Sequence, residues 1–454
     1  MTKRVLKTVS LFSGGMGLDI GLHKTGYFQH LCCVEADRAC CATIRKNRDS
    51  GRLALGMRVI ENDIKKVDPR QLRCELGLEV GELDALIGGP PCQSFSTAGR
   101  RGTTQDPRGM LLWDFLRFVD EFRPKFFLME NVRGLLSAAS KHREIARRPD
   151  KGGRELSEDE QPGSVVKLFC EDLRSMTSDA YHLDCFEVNA ANYGAPQIRE
   201  RAIFIGNRFN LEMDFPNPSH GNFEQSAAPD MDGMLPFDLP ARLKPWATLR
   251  DAIGDLSGDA GEVLDFSPRK KDFLDKVPPG SNWRSLAIEL QKQSMGAAWH
   301  AKGGRSGWWR RLTFDLPSPT LVTLPNHAST SLCHPEETRA LSLKEYARIQ
   351  EFPDEWEFVG TLAERYAQVG NAVPIRLAKL AGSVVAQGLI NFETGLTKPS
   401  SRPLPVFRKI YIQSHVRTRR WFKDGQTLVW DVSGPSIQRY STPKTLRKTR
   451  ALET

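Results

Sequence analysis

The chain reads as an α/β protein in which a mostly parallel sheet, with helices on both faces, carries a smaller irregular domain. Three observations predict this. Short apolar runs alternate with helical stretches through the first 206 residues. Five of those runs lead directly into a glycine-rich or acidic signature. Near residue 207 the chain turns Pro- and Gly-rich with weak periodicity, and the alternation resumes after Leu312.

The first run, residues 8–13 (TVSLFS), is followed by Gly14, Gly15 and Gly17 and then by a helix over 18–22. Strand, glycine turn and helix in that order suit a nucleotide-binding βαβ unit. Runs at 31–34, 58–60, 84–87 and 126–129 lead into Glu35, Asp63, the GGPPC of 88–92 and Glu130. Open sheets of this kind bind ligands at the carboxyl ends of their strands. The glycine turn, Glu35, Asp63, Cys92 and Glu130 are therefore expected along one edge. Residues 139–163 read as a polar surface insertion, and 168–177 and 186–189 as a helix and a strand. A strand over 202–206 follows QIRER, and helices follow at 343–349 and from Pro374. The last of these places Leu377, Leu380, Ala381 and Val384 on one buried face. The predicted organisation is 1–206 for the first part of the sheet domain and 207–309 for the irregular domain. The sheet domain returns over 310–395, and 396–454 form a basic C-terminal extension.

Composition narrows the function classes. The 454 residues are 40% hydrophobic and 26% charged, as in an ordinary soluble protein. No apolar run approaches the roughly 20 residues of a transmembrane helix, and the first residues lead into a strand, not a signal core. A cytoplasmic monomer with no membrane partner is expected. The nine cysteines include no Cys-x-x-Cys pair, so no metal site is expected and most thiols should be small buried groups. The net charge of +9 lies in residues 401–454, which hold 12 Lys+Arg against 3 Asp+Glu. Such a tail is either simply solvated or adds salt-sensitive, sequence-independent attraction to nucleic-acid phosphates. Residues 207–309 are not basic, with 12 Lys+Arg against 14 Asp+Glu, and hold five of the nine tryptophans, which suit a core better than a ligand face.

Single residues leave alternatives open. The glycine turn with Glu35 some 20 positions on suits ribose recognition, but also a plain tight turn. Pro90 and Pro91 stiffen the approach to Cys92, and the Ser, Thr and Gly residues after it are loop composition, favouring a partly exposed thiol over a buried one. Glu130 ends a buried run, where it either works as a carboxyl group in a dry site, or caps a helix or forms a salt bridge. Arg199 and Arg201 alternate on an extended segment and share a face. They pair either with Glu130 or a ligand oxygen, or with water.

In combination these blocks resemble the DNA (cytosine-5)-methyltransferase family. FSGGMGLDIGL, VEAD, the acid of ENDI, GGPPCQSFS, MENV, QIRER, RRLTFDLPSPTLVT and VGNAVPIRLAKLAG match its motifs in order, across 8–206 and about 310–382. The resemblance implies the Rossmann-like fold of S-adenosylmethionine-dependent methyltransferases, with 207–309 as the target-recognition domain. It implies that Cys92 is the nucleophile, that Glu130 holds cytosine N3 and N4, that Arg201 contacts O2 and that Arg199 fixes that geometry. It places S-adenosylmethionine against Phe12, Ser13, Gly14, Gly15 and Gly17, its ribose on Glu35 and its adenine on Asp63 and Ile64. Pro90, Asn371 and Val373 complete that site. Double-stranded DNA is the implied partner, with Ser94, Arg100, Arg101 and Arg108 on a mobile loop after the cysteine and the target base flipped out. Two departures from the family pattern stand out: Ala36 replaces a larger residue that packs on adenine, and Met16 replaces a glycine, which matters only if its φ is positive. The compact chain is similar to prokaryotic enzymes of restriction-modification systems. The alternatives are a tRNA cytosine-5 methyltransferase and a non-catalytic DNA-binding relative. A dinucleotide oxidoreductase would share only the glycine turn and Glu35.

Overall fold

In the computed structural model the described residues are 4–91, 111–144, 147–176, 181–221, 243–256, 261–300, 307–327, 330–404, 407–411, 426–431 and 434–439. Cys92, Ser94, Arg100, Arg101 and Arg108 lie outside them. The strands are β1 (Leu6–Leu11), β2 (Phe28–Glu35), β3 (Arg58–Glu61), β4 (Ala85–Gly88), β5 (Phe126–Val132), β6 (His182–Asn189) and β7 (Glu200–Asn207). β8 (His220–Gly221) and β9 (Lys244–Pro245) form a two-stranded ribbon, and β10 (Phe407–Tyr411), β11 (Gln426–Asp431) and β12 (Gly434–Arg439) close the series. The main sheet runs β12-β11-β10-β6-β7-β5-β4-β1-β2-β3. β1 pairs in parallel with β2 and β4, and β4 with β5, while β7 runs antiparallel between β5 and β6. Strand order reverses at β1, the topological switch where such sheets open a crevice.

Two apolar layers hold the sheet. Val9, Leu11, Phe127 and Met129 pack on one face with α3 (Pro69–Glu75), α4 (Leu111–Phe122) and α5 (Ser164–Met176). Phe126, Leu128, Phe186 and Ile203 pack on the other with α1 (Gly17–His23) and the long helix Ile375–Glu393. In that helix Leu377, Ala381 and Val384 are buried, as their spacing predicts, and Leu380 is partly buried against the same cluster. The cysteine doublets sit in β2 and in α2 (Arg38–Asp49) as buried groups, and burial pushes the Cys32 thiol up to about 12. Among the described residues no single helix is long and apolar enough to cross a membrane.

The packing refines the sequence reading in three places. β5 continues to Val132 because Glu130 and Val132 remain paired with Ile203 and Arg201 of β7, so Glu130 sits inside a strand and not after one. The insertion around 139–163 is internally pinned: the Arg143 guanidinium, buried, pairs with Glu160, whose carboxylate also closes a capping box on Ser157. The basic extension is not wholly a solvated tail. β10 joins the sheet in parallel with β6, and Arg408 and Lys409 are buried there. Arg408 Nε lies 2.6 Å from Asp184 Oδ1, and its Nη2 donates to the Met213 carbonyl at 2.9 Å. Those two charges are spent inside the protein.

The irregular region has its own small core of Phe266, Phe273, Trp283, Met295 and Trp309, which also takes in Cys333. Trp283 and Trp309 are core residues, as composition suggested; Trp246 donates to Asn192 Oδ1 at 3.1 Å. Residues just beyond 207 pack on the sheet instead: Leu211, Met213 and Phe215 join Phe186 and Val188. Lys270 is buried in the small core, 4.7 Å above the Phe266 ring, and donates to the carbonyls of Asn326 (2.6 Å) and His327 (3.1 Å). Burial lowers its pKa from 10.5 to about 8. Between those values the unfolded chain binds the extra proton, so raising pH through the window favours the folded state at this site. The difference in Tm between wild type and K270M should therefore move in favour of the wild type between about pH 8 and 10. A constant difference would mean that Lys270 titrates as a free lysine.

Candidate active site

The carboxyl end of β1 turns sharply. Phe12, Gly14 and Met16 have φ of 56°, 51° and 70°. The departure at Met16 thus matters: a non-glycine residue holds a left-handed conformation that costs about 1–2 kcal/mol. Its side chain is fully buried beside Ile20, Cys33 and Ile44, which offsets that cost, and its carbonyl accepts from Ile20 N to start α1. Gly17 cannot carry a side chain, because a Cβ there would lie 2.5 Å from the Val373 carbonyl oxygen. The turn is thereby pressed against residues 372–373, more than 350 positions away in sequence.

Glu35, at the end of β2, fixes this turn. Its Oε2 accepts from Gly14 N at 2.7 Å, and its Oε1 from Ala36 N and Asp37 N at 2.8 and 2.9 Å. A carboxylate has about four lone-pair positions, so one remains for a ligand hydroxyl. Asp63 caps a short 3-10 turn through Lys65 N and is exposed, whereas Ile64 is only 4% exposed and offers a ligand little surface. Phe12 and Gly14 keep partial exposure and Asn371 is open, while Ser13, Gly15, Gly17, Pro90 and Val373 are buried behind them. The accessible groups (an aromatic ring, a backbone turn, two carboxylates and an amide) fit a ligand with a ribose, an amino-bearing base and a charged tail.

The second half of the site is built by β4, β5 and β7. Arg201 Nε lies 2.5 Å from Glu130 Oε1, and both side chains are about nine-tenths buried. Gly89 runs directly beside Glu130: a Cβ on it would sit 3.3 Å from Glu130 Oε2. The Asn131 amide donates to the Pro90 carbonyl at 3.1 Å, holding the chain two residues before Cys92. Neither arginine is solvated, and their roles differ. Arg199 makes no hydrogen bond to Glu130; its guanidinium donates to the carbonyls of Leu321 (3.0 Å), Gly370 (2.8 Å) and Ala372 (3.0 Å). Burial pushes its pKa down, Arg201 adding to the effect and Glu130 opposing it. By gripping the residues on both sides of Asn371, Arg199 ties the Glu130–Arg201 corner to the glycine-turn corner.

Reading residues singly missed Asn131, Gln197 and Gln350. Gln197 accepts from Leu321 N at 3.0 Å and donates to Gln350, which donates in turn to the carbonyls of Val369 and Ala372. Asn131 and Gln197 lie within the quoted blocks MENV and QIRER, which was the available signal; nothing local marks Gln350. No group of His, Cys, Asp and Glu among the described residues is arranged to hold a metal ion.

The described residues thus build an open α/β sheet with a glycine turn at its switch point and a buried Glu–Arg pair beside the Gly89–Pro90 segment. The model of the C-5 cytosine-specific DNA methylases matches residues 6–386. The chain belongs to that family and is a DNA cytosine-5 methyltransferase. It is 35% identical over 398 residues to the type II methyltransferase M.PspPI of Psychrobacter sp., with 85% of this chain and 80% of that protein covered. M.Eco47II of Escherichia coli is 35% identical over 393 residues, with the same coverage, and M.Sau96I of Staphylococcus aureus 34% over 382, covering 84% of this chain and 76% of its own. A solved structure described as a prophage-encoded DNA modification methyltransferase of E. coli shares the fold, with a TM-score of 0.52 at 24% identity over 86% of this chain and 99% of that one.

Proposed function

We propose that this enzyme methylates C5 of one cytosine in a specific double-stranded DNA sequence, through a covalent bond between Cys92 and C6 of a base flipped out of the helix. The observation that carries the reading is the Glu130–Arg201 pair set against the Gly89–Pro90 approach to Cys92. Cytosine C5 is too weak a nucleophile to take a methyl group unaided. Addition of the Cys92 thiolate to C6 breaks the aromatic system and makes C5 enamine-like. Glu130 holds N3 and N4 and Arg201 holds O2, so charge developing on the ring meets placed partners in a dry site. S-adenosylmethionine, when bound, supplies the electrophilic methyl group. Loss of the C5 proton and expulsion of the thiolate then restore the aromatic ring. The turn of residues 12–17 with Glu35, Asp63 and Asn371 supports this methyl donor, since the accessible groups match its ribose, adenine and methionine ends.

The duplex buries its bases, so flipping is required. Ser94, Arg100, Arg101 and Arg108 are our candidates for the loop that performs it, and residues 207–309 for target recognition by placed side chains rather than bulk charge. The likeness to type II methyltransferases supports a role as the modification enzyme of a restriction-modification system. The test is expression of wild type and C92S in a host free of cytosine methylation, followed by bisulfite sequencing of its DNA. Protection of cytosines in one short recurring sequence, with wild type only, is expected. Soluble folded protein that protects none would sink the DNA reading and favour RNA as substrate.

A further inference from the structure

We propose that strand β10 of the C-terminal extension is a working part of the catalytic sheet, and that Lys409 is a positioning residue for Glu130 and Arg201. The inference rests on the reading of those two side chains as the groups that hold the cytosine. The segment lies outside the family match, which ends at residue 386.

Lys409 stands opposite Cys185 in the β10–β6 register, so it shares a face with Glu187 two residues on. Its Nζ is 3.9 Å from Glu187 Oε2 and the side chain is 8% exposed. Glu187 Oε1 is 3.4 Å from Arg133 Nε, and Arg133 Nη1 is 2.9 Å from Glu200 Oε2. Arg133 directly follows β5, Glu187 is near the end of β6, and Glu200 opens β7. The chain Lys409–Glu187–Arg133–Glu200 therefore stitches β10, β6, β7 and β5 together at the edge that carries the site.

Glu130 and Arg201 lie on the opposite face of the same strands, where Glu130 pairs with Ile203 and Val132 with Arg201. The two faces meet at Glu200. Its carboxylate belongs to the ion network, and its carbonyl accepts from Arg201 Nη1 at 2.8 Å. Arg133 is shared by two carboxylates, and Lys409 brings a further cation to Glu187. Without it, Glu187 draws Arg133 away from Glu200, and the backbone that aims Arg201 loses its support. Arg408 secures the same strand from the other face through Asp184.

The test uses the full-length enzyme as wild type, K409M, K409R, E187Q and K409M/E187Q. Steady-state kinetics with target duplex and S-adenosylmethionine are run beside amide hydrogen exchange. K409M is expected to lower kcat at least about fivefold with both KM values nearly unchanged, and K409R to restore most of the loss. The double variant should be no worse than K409M, because the two residues act through one link. Exchange near the Glu130 end of β5 and the start of β7 should be faster in K409M. Three results would overturn the proposal. One is an unchanged kcat, even with a lowered Tm. Another is a raised KM for DNA that disappears at low salt, which would make Lys409 a phosphate contact. The third is unaltered exchange in β5 and β7. A wild type that methylates no DNA would instead remove the reading on which the proposal rests, and exchange would still report whether Lys409 braces the strands.

Discussion

R201M is expected to abolish detectable methylation and to destabilise the sheet at the same time. Arg201 is the cation beside the Glu130 carboxylate, and both side chains are about nine-tenths buried. Removing one member of such a pair strands the other charge in a dry site, at a cost of roughly 3–5 kcal/mol. It also removes a donor proposed for the charge that builds on the cytosine ring, worth about a hundredfold or more in rate. The two effects separate in R201M/E130Q. With no unpaired charge left, stability should return most of the way in urea denaturation, while methyl transfer stays absent. E130Q alone leaves the Arg201 charge without its carboxylate but keeps an amide oxygen to accept from it, so it should lose less stability than R201M, yet at least about a hundredfold in kcat. An R201M protein with wild-type kcat would show that the pair is structural only.

G21A is expected to be among the most damaging single-methyl additions outside the site. Its new Cβ would fall 2.3 Å from Ala378 Cβ and 2.7 Å from the Ile375 carbonyl oxygen and the Lys379 nitrogen. Two of those three neighbours are backbone, which cannot turn aside. Alanine gains about 1 kcal/mol over glycine in helix propensity. Overpacking costs about 1–3 kcal/mol, and here belongs at the top of that range. The net loss should be about 2 kcal/mol, read as a lower urea midpoint with unchanged slope. G17A meets the Val373 carbonyl oxygen at 2.5 Å and should cost as much. It differs in where the strain falls: between the glycine turn and the Ala372–Val373 wall, so its KM for S-adenosylmethionine should also rise, whereas that of G21A should not. Equal effects on that KM would mean that the turn does not form the wall of the methyl-donor site.

The parts of this site that sequence made legible are those marked by local physics. Glu35, Asp63, Pro90 and Glu130 each follow or end an apolar run, and the α/β order alone predicts which edge they share. Motif order added Arg199 and Arg201 and separated them from surface arginines. What stayed hidden depends on partners distant in the chain. Nothing local says that Arg199 grips carbonyls at 321, 370 and 372, or that Gln350 links Gln197 to the loop before Val373. The adjacent cations Arg408 and Lys409 argue against a buried strand at Phe407–Tyr411; pairing with β6 on one side and β11 on the other makes it one. The left-handed turn at Met16 was hidden for another reason: the residue type argues against it, and only the close approach of residues 368–373 to the turn imposes it.

The central claim is a covalent bond between Cys92 and the target base, and trapping tests it most directly. A duplex carrying the recognition sequence, with 5-fluorocytosine at the target position, has no C5 proton to lose once the methyl group has been transferred. The thiolate then cannot be expelled. Incubation with enzyme and S-adenosylmethionine should give a denaturation-resistant complex whose mass equals protein plus DNA plus one methyl group, absent with C92S and without the methyl donor. Recovery of free enzyme and free duplex, from a preparation that methylates the unfluorinated site, would contradict the account and remove Cys92 from the reaction.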